Sequence, residues 1–546
     1  MTTGQAIVKS LLAHGVDTVF GLPGIQLDYL FNAFHDESNS LKVLHPRHEQ
    51  AAGYMALGYA QASGKVGVFA VVPGPGLLNT TAAVATAYGC NAPVLALTGQ
   101  IPSTSIGMGY GLLHEIPDQL SLIKGLVKWA ARIEHVTQSS SLVREAFSQL
   151  TSEVPKPVEL EVPMDVLGRT GLVDILPPLP VQSSPTPDPD LIVEAAKLLG
   201  LSKRPLIVCG GGAVGAGEAL LEIAQMLQAP VVSHRMGAGI VSDRHYLSQN
   251  LMGGHRLWAE TDVVLAVGTR FQQQSMVWKL DSSIKVIRIE LDPVKLRQFE
   301  RPTVGIVADA DDALRQLQVA LTKTNPKRES REDELTGLKA SIAADLSIKL
   351  KPQMGFLKAM REALPDGGIF VEELTQVAYV GRAMFPVYKP RTYLASGYQG
   401  TLGAGFPSAL GAKVACPESA VLSVSGDGGF MFNVQELSTA AMHNIDVVAV
   451  VFNDNAFGNV KRMQEDLYGG RVVGSELYNP DFLKLGESFG IKTQRVKTPK
   501  ALRSAIESAF SSRGPTLIEV PVGKMPAPWG VSQPMTAVSR KRVEQL

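Results

Sequence analysis

The chain has 546 residues, with 51 basic side chains against 51 acidic ones and three cysteines. That length supplies three or four domains with deep cores, and the zero net charge removes the electrostatic footprint that nucleic acid or an anionic membrane surface selects. Cys90, Cys209 and Cys416 lie far apart with no CxxC or Cys/His ligand spacing, which fits a reducing compartment and gives no zinc site. The N-terminal stretch lacks the basic, apolar and small-residue order of a signal peptide, and no apolar run approaches a membrane span, so a cytoplasmic protein is expected.

The first part alternates short apolar runs, among them Val66 to Val72 and Val94 to Leu97, with helical patterns, as parallel-sheet α/β units do. Between them stand glycine-rich landmarks at expected strand ends: Gly21-Leu22-Pro23-Gly24, Pro73-Gly74-Pro75-Gly76-Leu77-Leu78-Asn79 and Thr98-Gly99-Gln100. There the backbone is free to approach a ligand closely, or the chain simply turns. In Pro46-Arg47-His48-Glu49-Gln50-Ala51-Ala52-Gly53, Glu49 opens a helix of small apolar residues. Taken alone, a glutamate in that position compensates the helix dipole.

Leu176 to Asp190 is proline-rich and reads as an exposed linker. Past it, Gly210-Gly211-Gly212-Ala213-Val214-Gly215 follows the strand Pro205 to Val208 and satisfies the GxGxxG dinucleotide pattern. The acidic ribose ligand expected about twenty residues on is missing from Val231-Val232-Ser233-His234-Arg235, which weakens a nicotinamide reading. Strands are expected at Val263 to Val267 and Val286 to Ile289. Thr322 to Glu334 is charged and poor in apolar residues, suiting a solvated connection to the last part. Three doubly wound parallel-sheet α/β domains result, at 1–175, 190–322 and 350–522, with a tail over 523–546.

The last part holds the most informative pattern. A strand Ala420 to Val424 runs into Gly426-Asp427-Gly428-Gly429; a helix over Asn433 to His443 and a buried strand Asp446 to Phe452 return the chain to Asp454. The glycine turn lets backbone N–H groups of Gly428 and Gly429 approach an anion at a helix N-terminus. Asp427 and Asp454 offer hard oxygens to a cation. Together they read as a magnesium diphosphate site.

This spacing resembles the thiamin diphosphate signature of the acetolactate synthase and pyruvate decarboxylase superfamily, and GDGGFMFNVQELSTAAMHN is most similar to catalytic subunits of acetohydroxyacid synthases. The resemblance spans nearly the whole chain. It implies pyrimidine-binding, central and diphosphate-binding domains, with thiamin diphosphate and Mg2+ as cofactors. Asp427 and Asp454 would ligate the metal through side chains and Ala456 through its carbonyl; Asp454 stands where most members have Asn. Glu49 matches the glutamate that protonates the aminopyrimidine ring. Leu402, in Ser396-Gly397-Tyr398-Gln399-Gly400-Thr401-Leu402-Gly403, takes the place of the apolar residue that props the cofactor into its bent form. Gln376 aligns with a diphosphate-contacting stretch. Family architecture also implies a homodimer or homotetramer, since each site combines domains of two subunits, and C-terminal segments of relatives cover the site.

Departures from the biosynthetic pattern bear on substrate. Ile25 replaces a small residue, Met463 replaces the acceptor-pocket tryptophan, and His114 replaces an active-site glutamine. His114 and Gln26 are candidate proton donors or orienting groups, with a hydrogen-bonded structural role as the alternative for each. FAD, which such synthases place across the middle domain, is possible but not favoured, because Arg270-Phe271-Gln272-Gln273-Gln274 lacks the acidic pair and second arginine of the corresponding element. The expected function is decarboxylation of a small 2-oxo acid with transfer of the remaining fragment to an acceptor, acetolactate synthase-like. A 2-oxo acid decarboxylase, a hydroxyacyl or benzaldehyde lyase acting on an aldehyde, and a non-catalytic cofactor-binding paralogue are the alternatives.

Overall fold

The structure is a computed structural model that describes residues 1–180, 183–299, 301–532 and 536–538. Three six-stranded sheets follow one another along the chain, and every strand pair is parallel. The first contains β1 (Thr18–Gly21), β2 (Lys42–Leu44), β3 (Gly67–Val71), β4 (Val94–Gln100), β5 (Trp129–Arg132) and β6 (Val158–Pro163), in the order β2-β1-β3-β4-β6-β5. The second contains β7 (Pro205–Cys209), β8 (Val231–Ser233), β9 (Ser248–Gln249), β10 (Val263–Val267), β11 (Lys285–Glu290) and β12 (Val304–Val307), in the order β12-β11-β10-β7-β8-β9. The third contains β13 (Ile369–Glu372), β14 (Tyr393–Leu394), β15 (Val421–Gly426), β16 (Val448–Asn453), β17 (Lys492–Arg495) and β18 (Thr516–Pro521), in the order β14-β13-β15-β16-β18-β17.

The first and third sheets therefore share one strand order. The three doubly wound α/β units expected from the sequence are present. Central strands such as Val264-Leu265-Ala266 and Val448-Ala449-Val450-Val451 are buried on both faces, which is why they read as unbroken apolar runs rather than alternating ones.

One hydrophobic core joins the first and third units, running from Phe20, Tyr54 and Phe69 to Phe406, Phe430 and Leu517. At its centre the helices Glu49–Ser63 and Gly405–Ala415 touch backbone to backbone. A methyl group on Gly58 would lie 2.0 Å from the Ser408 carbonyl oxygen, and one on Gly411 would lie 1.9 Å from that of Met55. Only glycine permits that approach.

Local departures from the sequence reading have physical causes. The helix expected over 433–443 occupies only Glu436–Met442, because the buried Asn433 side chain is turned away to donate to the Gly403 carbonyl at 2.6 Å. The charged stretch 322–334 is largely helical at both ends, with helices Ala310–Thr324 and Glu332–Lys349. Its remaining link is anchored, since Arg328 donates to the carbonyls of Leu199 and Ser202 at 2.8 and 2.7 Å. Leu335 of the second helix enters the middle core, while Ile342 and Leu346 enter the last. Among the described residues, no helix is long and apolar enough to cross a membrane.

Candidate active site

In an open parallel sheet, ligands gather beyond the carboxyl ends of strands where the winding direction reverses. In the third sheet that point lies between β13 and β15, and the segments leaving β13, β15 and β16 meet there. A cleft of about 740 Å³, open to solvent, is lined by Leu374, Gln376, Leu402, Asp427, Asp454 and Ala456, among others. Gly428 and Gly429 also line it. All the residues expected from the sequence to hold the cation and the diphosphate thus meet in one cleft.

Parallel pairing of β15 with β16, with Gly426 opposite Phe452, sets Asp427 and Asp454 side by side just past the strand ends. Burial raises the Asp454 carboxyl to about 7, with the adjacent Asp427 charge and a hydrogen bond between the two adding to it. Burial raises Asp427 as well, offset by hydrogen bonds that include Asn479. Two crowded carboxylates that resist joint ionisation are a site a divalent cation would relieve. Among the described residues no cluster of three or more His, Cys, Asp or Glu side chains is arranged for a metal. A cation here would therefore complete its shell with a carbonyl, water and a bound anion, as Mg2+ does with phosphates.

Several partners escaped the sequence reading. Asn479 Nδ2 donates to Asp427 Oδ2 at 2.6 Å and to Asn453 Oδ1 at 3.0 Å, fixing the carboxylate from a loop 52 positions away. No local pattern around Asn479 announces this. Gln376 Nε2 donates to Asp454 Oδ2 at 2.8 Å and to the Gly523 carbonyl at 3.2 Å, while its oxygen accepts the Met525 N–H at 2.8 Å. The amide is consumed in tying Asp454 to the segment after β18. That segment packs here further: Val522 and Met525 line the cleft, and Trp529 donates to Asn459 at 3.0 Å. Of the tail 523–546, residues 533–535 and 539–546 lie outside the described residues.

The first sheet reverses between β1 and β3, and a second group of expected residues converges there. The Gln26 amide donates to the Leu113 carbonyl at 3.1 Å, which turns its oxygen toward His114 Nδ1, also at 3.1 Å. His114 adopts a left-handed φ of 70°, and its carbonyl oxygen would lie 2.4 Å from a methyl on Gly74. Gln119 accepts the Gly74 N–H at 2.9 Å and donates to Gly99 O at 3.0 Å, so the glycine landmarks and the Leu113–Gln119 loop form one assembly. Glu49 is the first residue of its helix and accepts from Asn79 Nδ2 at 3.1 Å. No residue before Leu374 lines the third-sheet cleft among the described residues.

The middle-domain motifs make close contacts. Methyl groups on Gly210 and Gly212 would meet Gly268 backbone at 2.5 and 2.8 Å, so the triplet brings the ends of β7 and β10 together. The Arg270 guanidinium donates to the Gly89 carbonyl and lies over the Tyr398 ring, tying the middle domain to both others.

Three families match consecutive parts of the chain. They are described as Thiamine pyrophosphate enzyme, N-terminal TPP binding domain (residues 1–122), central domain (192–317) and C-terminal TPP binding domain (374–520). The chain is 35% identical to a probable acetolactate synthase large subunit of Methanococcus aeolicus, over 95% of this chain and 92% of that one. It is 33% identical to the probable 2-ketoarginine decarboxylase AruI of Pseudomonas aeruginosa, over 95% and 94%. It is 32% identical to acetolactate synthase isozyme 3 large subunit of Escherichia coli K12, over 93% and 92%.

Proposed function

Because the chain belongs to the thiamine pyrophosphate enzyme family, we propose that it is a lyase or carboligase that decarboxylates a small 2-oxo acid and transfers the remaining fragment to an acceptor, as an acetolactate synthase does. The observation that carries this reading is the pair Asp427 and Asp454 at the switch-point cleft, flanked by the glycine turn and Leu402. In it, Asp427, Asp454 and the Ala456 carbonyl would hold Mg2+, Gly428, Gly429 and Gln376 would border the diphosphate, and Leu402 would support the cofactor. Bound there, thiamin diphosphate supplies a nucleophilic carbon and an electron sink for cleavage beside a carbonyl. Glu49 holds the proton exchanged with the aminopyrimidine. With Nδ1 committed to Gln26, His114 presents Nε2 for a proton of the substrate.

Similarity to acetolactate synthase large subunits supports a homodimer or homotetramer, in which Glu49 reaches the cofactor of a second copy. The free thiols Cys90, Cys209 and Cys416 suit a cytoplasmic location. The test is incubation of purified protein with thiamin diphosphate, Mg2+ and pyruvate, with and without Glu49→Gln, following carbon dioxide and identifying the organic product. Acetolactate that disappears in the variant supports the synthase reading; absence of cofactor binding overturns it.

A second reading, 2-oxo acid decarboxylase, is favoured by similarity to the protein named for 2-ketoarginine decarboxylation and by Met463 at the acceptor-pocket position. Aldehyde rather than acetolactate as product selects it.

A further inference from the structure

Glu373 follows directly on β13, is 2% exposed and, among the described residues, forms no ion pair. Its Oε1 accepts the Gly403 N–H at 2.8 Å and its Oε2 accepts the Gly405 N–H at 2.7 Å, with Ser425 Oγ at 3.5 Å. One carboxylate thereby grips the backbone on either side of Ala404, immediately after Leu402. Gly403 has a left-handed φ of 82°, and its carbonyl is held from the opposite side by Asn433. The same carboxylate abuts the glycine turn, since a methyl on Gly429 would lie 1.8 Å from Oε1. Glu373 thus stands between the two loops that border the cleft, the one bearing Leu402 and the one bearing Asp427.

Resting on the cofactor reading above, we propose that Glu373 is a positioning residue that clamps the Leu402 loop to the diphosphate turn, fixing the separation between the cofactor's bend and its anchor before the cofactor arrives. The energetic logic is that of preorganisation. A buried carboxylate is costly to retain unless each oxygen is engaged, and here the engaged donors are backbone groups of a loop rich in positive-φ glycines, Gly397, Gly400 and Gly403, that would otherwise sample many conformations. An amide of the same shape satisfies only one of the two N–H groups and sets its own NH2 against the other. The neighbouring acid Glu372 is built differently: it pairs with Arg382 at 2.5 Å and with the Tyr393 hydroxyl, away from this loop.

The experiment compares the wild type, Glu373→Gln and Glu372→Gln in two measurements. One is amide hydrogen exchange of residues 400–405 in cofactor-free protein; the other is titration of thiamin diphosphate with Mg2+ by intrinsic fluorescence. For Glu373→Gln the expected result is faster exchange in 400–405 and weaker cofactor binding by about tenfold or more, with the substrate KM unchanged once cofactor saturates. Glu372→Gln breaks the Arg382 pair and is expected to lower global stability, while leaving the exchange of residues 400–405 relative to the rest of the chain, and the cofactor affinity, at the wild-type value. Should Glu373→Gln fail to fold, Gly405→Ala serves instead, because its methyl would press on the Glu373 carboxylate at 2.8 Å from within a helix that accepts alanine. Unchanged exchange and affinity, or equal effects from Glu372→Gln, overturn the clamp. A wild-type chain that binds no thiamin diphosphate overturns the cofactor reading and the proposal with it; bound cofactor over an unaltered loop overturns the proposal alone.

Discussion

Gln26 and His114, 88 positions apart, are hydrogen-bonded at 3.1 Å from the amide oxygen to the imidazole Nδ1. Because Gln26 Nε2 is spent on the Leu113 carbonyl, its oxygen must accept, so the ring carries its hydrogen on Nδ1 and leaves Nε2 free. If this pair handles a substrate proton, His114→Ala lowers kcat/KM by about 10². Gln26→Ala should cost less. The double variant should lose no more than His114→Ala alone, because the residues act as one unit. A steady-state double-mutant cycle checks this, and additive losses would count against it.

The proposed division of the site between two copies would have a direct genetic readout. Glu49→Gln and Asp427→Asn should each be inactive alone. Co-expressed, they should recover about a quarter of wild-type activity, because half of randomly paired dimers hold one intact site in two. No recovery in purified mixed dimers would place both residues in the same chain's site.

The Asp427–Asp454 pair predicts an asymmetric response to substitution. Asp454→Asn retains a ligating oxygen and relieves the crowding, so cofactor binding should persist with Mg2+. Asp427→Asn also weakens the Asn479 contact and should bind several-fold less. Chelation should release cofactor from the wild type, as equilibrium dialysis would report.

Two buried acids on β6 should behave oppositely. Burial and the nearby Glu161 charge push the Glu159 carboxyl well above its usual range, so it is held neutral while bonded to Thr98. Glu159→Gln keeps shape and neutrality and should cost under about 1 kcal/mol. Glu161 pairs with Arg132 and accepts from Gln119 at 2.9 Å. Glu161→Gln should cost about 3 kcal/mol and disturb the Gly74 loop that Gln119 holds. Urea unfolding of both variants distinguishes them.

Burial pushes the Glu373 carboxyl up from 4.5 to about 7. Between those values the folded chain binds more protons than the unfolded one. The residue's contribution to stability is therefore complete below about pH 4.5 and lost as pH rises through about 7. The stability of the wild type relative to Glu373→Gln should accordingly decline from about pH 5 to about pH 8. Parallel urea midpoints across that range would contradict the assignment.

Where the chemistry depends on residues close to a strand end, the sequence was legible. Gly426 to Gly429 and Asp454 lie at the ends of β15 and β16, whose apolar runs are long enough to fix both positions. The same holds for the glycine landmarks after β1 and β3. Legibility failed for side chains whose partner arrives from elsewhere: Asn479 and Glu373 sit in ordinary surroundings, and the bonds of the Gln376 amide to Asp454 and to the segment after β18 had no local signal. The helix expected from Asn433 began late for the same reason, its side chain being drawn to Gly403.

By itself the sequence determined three parallel α/β units, their chemistry-bearing turns and the pairing of two carboxylates, because strand burial and glycine turns are properties of short segments with a fixed period. Tertiary structure alone decided that Gln26 orients His114, that Glu373 holds the Leu402 loop, and that Asn479 reaches Asp427. These depend on which strand ends become neighbours and on where buried polar groups find partners, a requirement of the packed interior that no local pattern records.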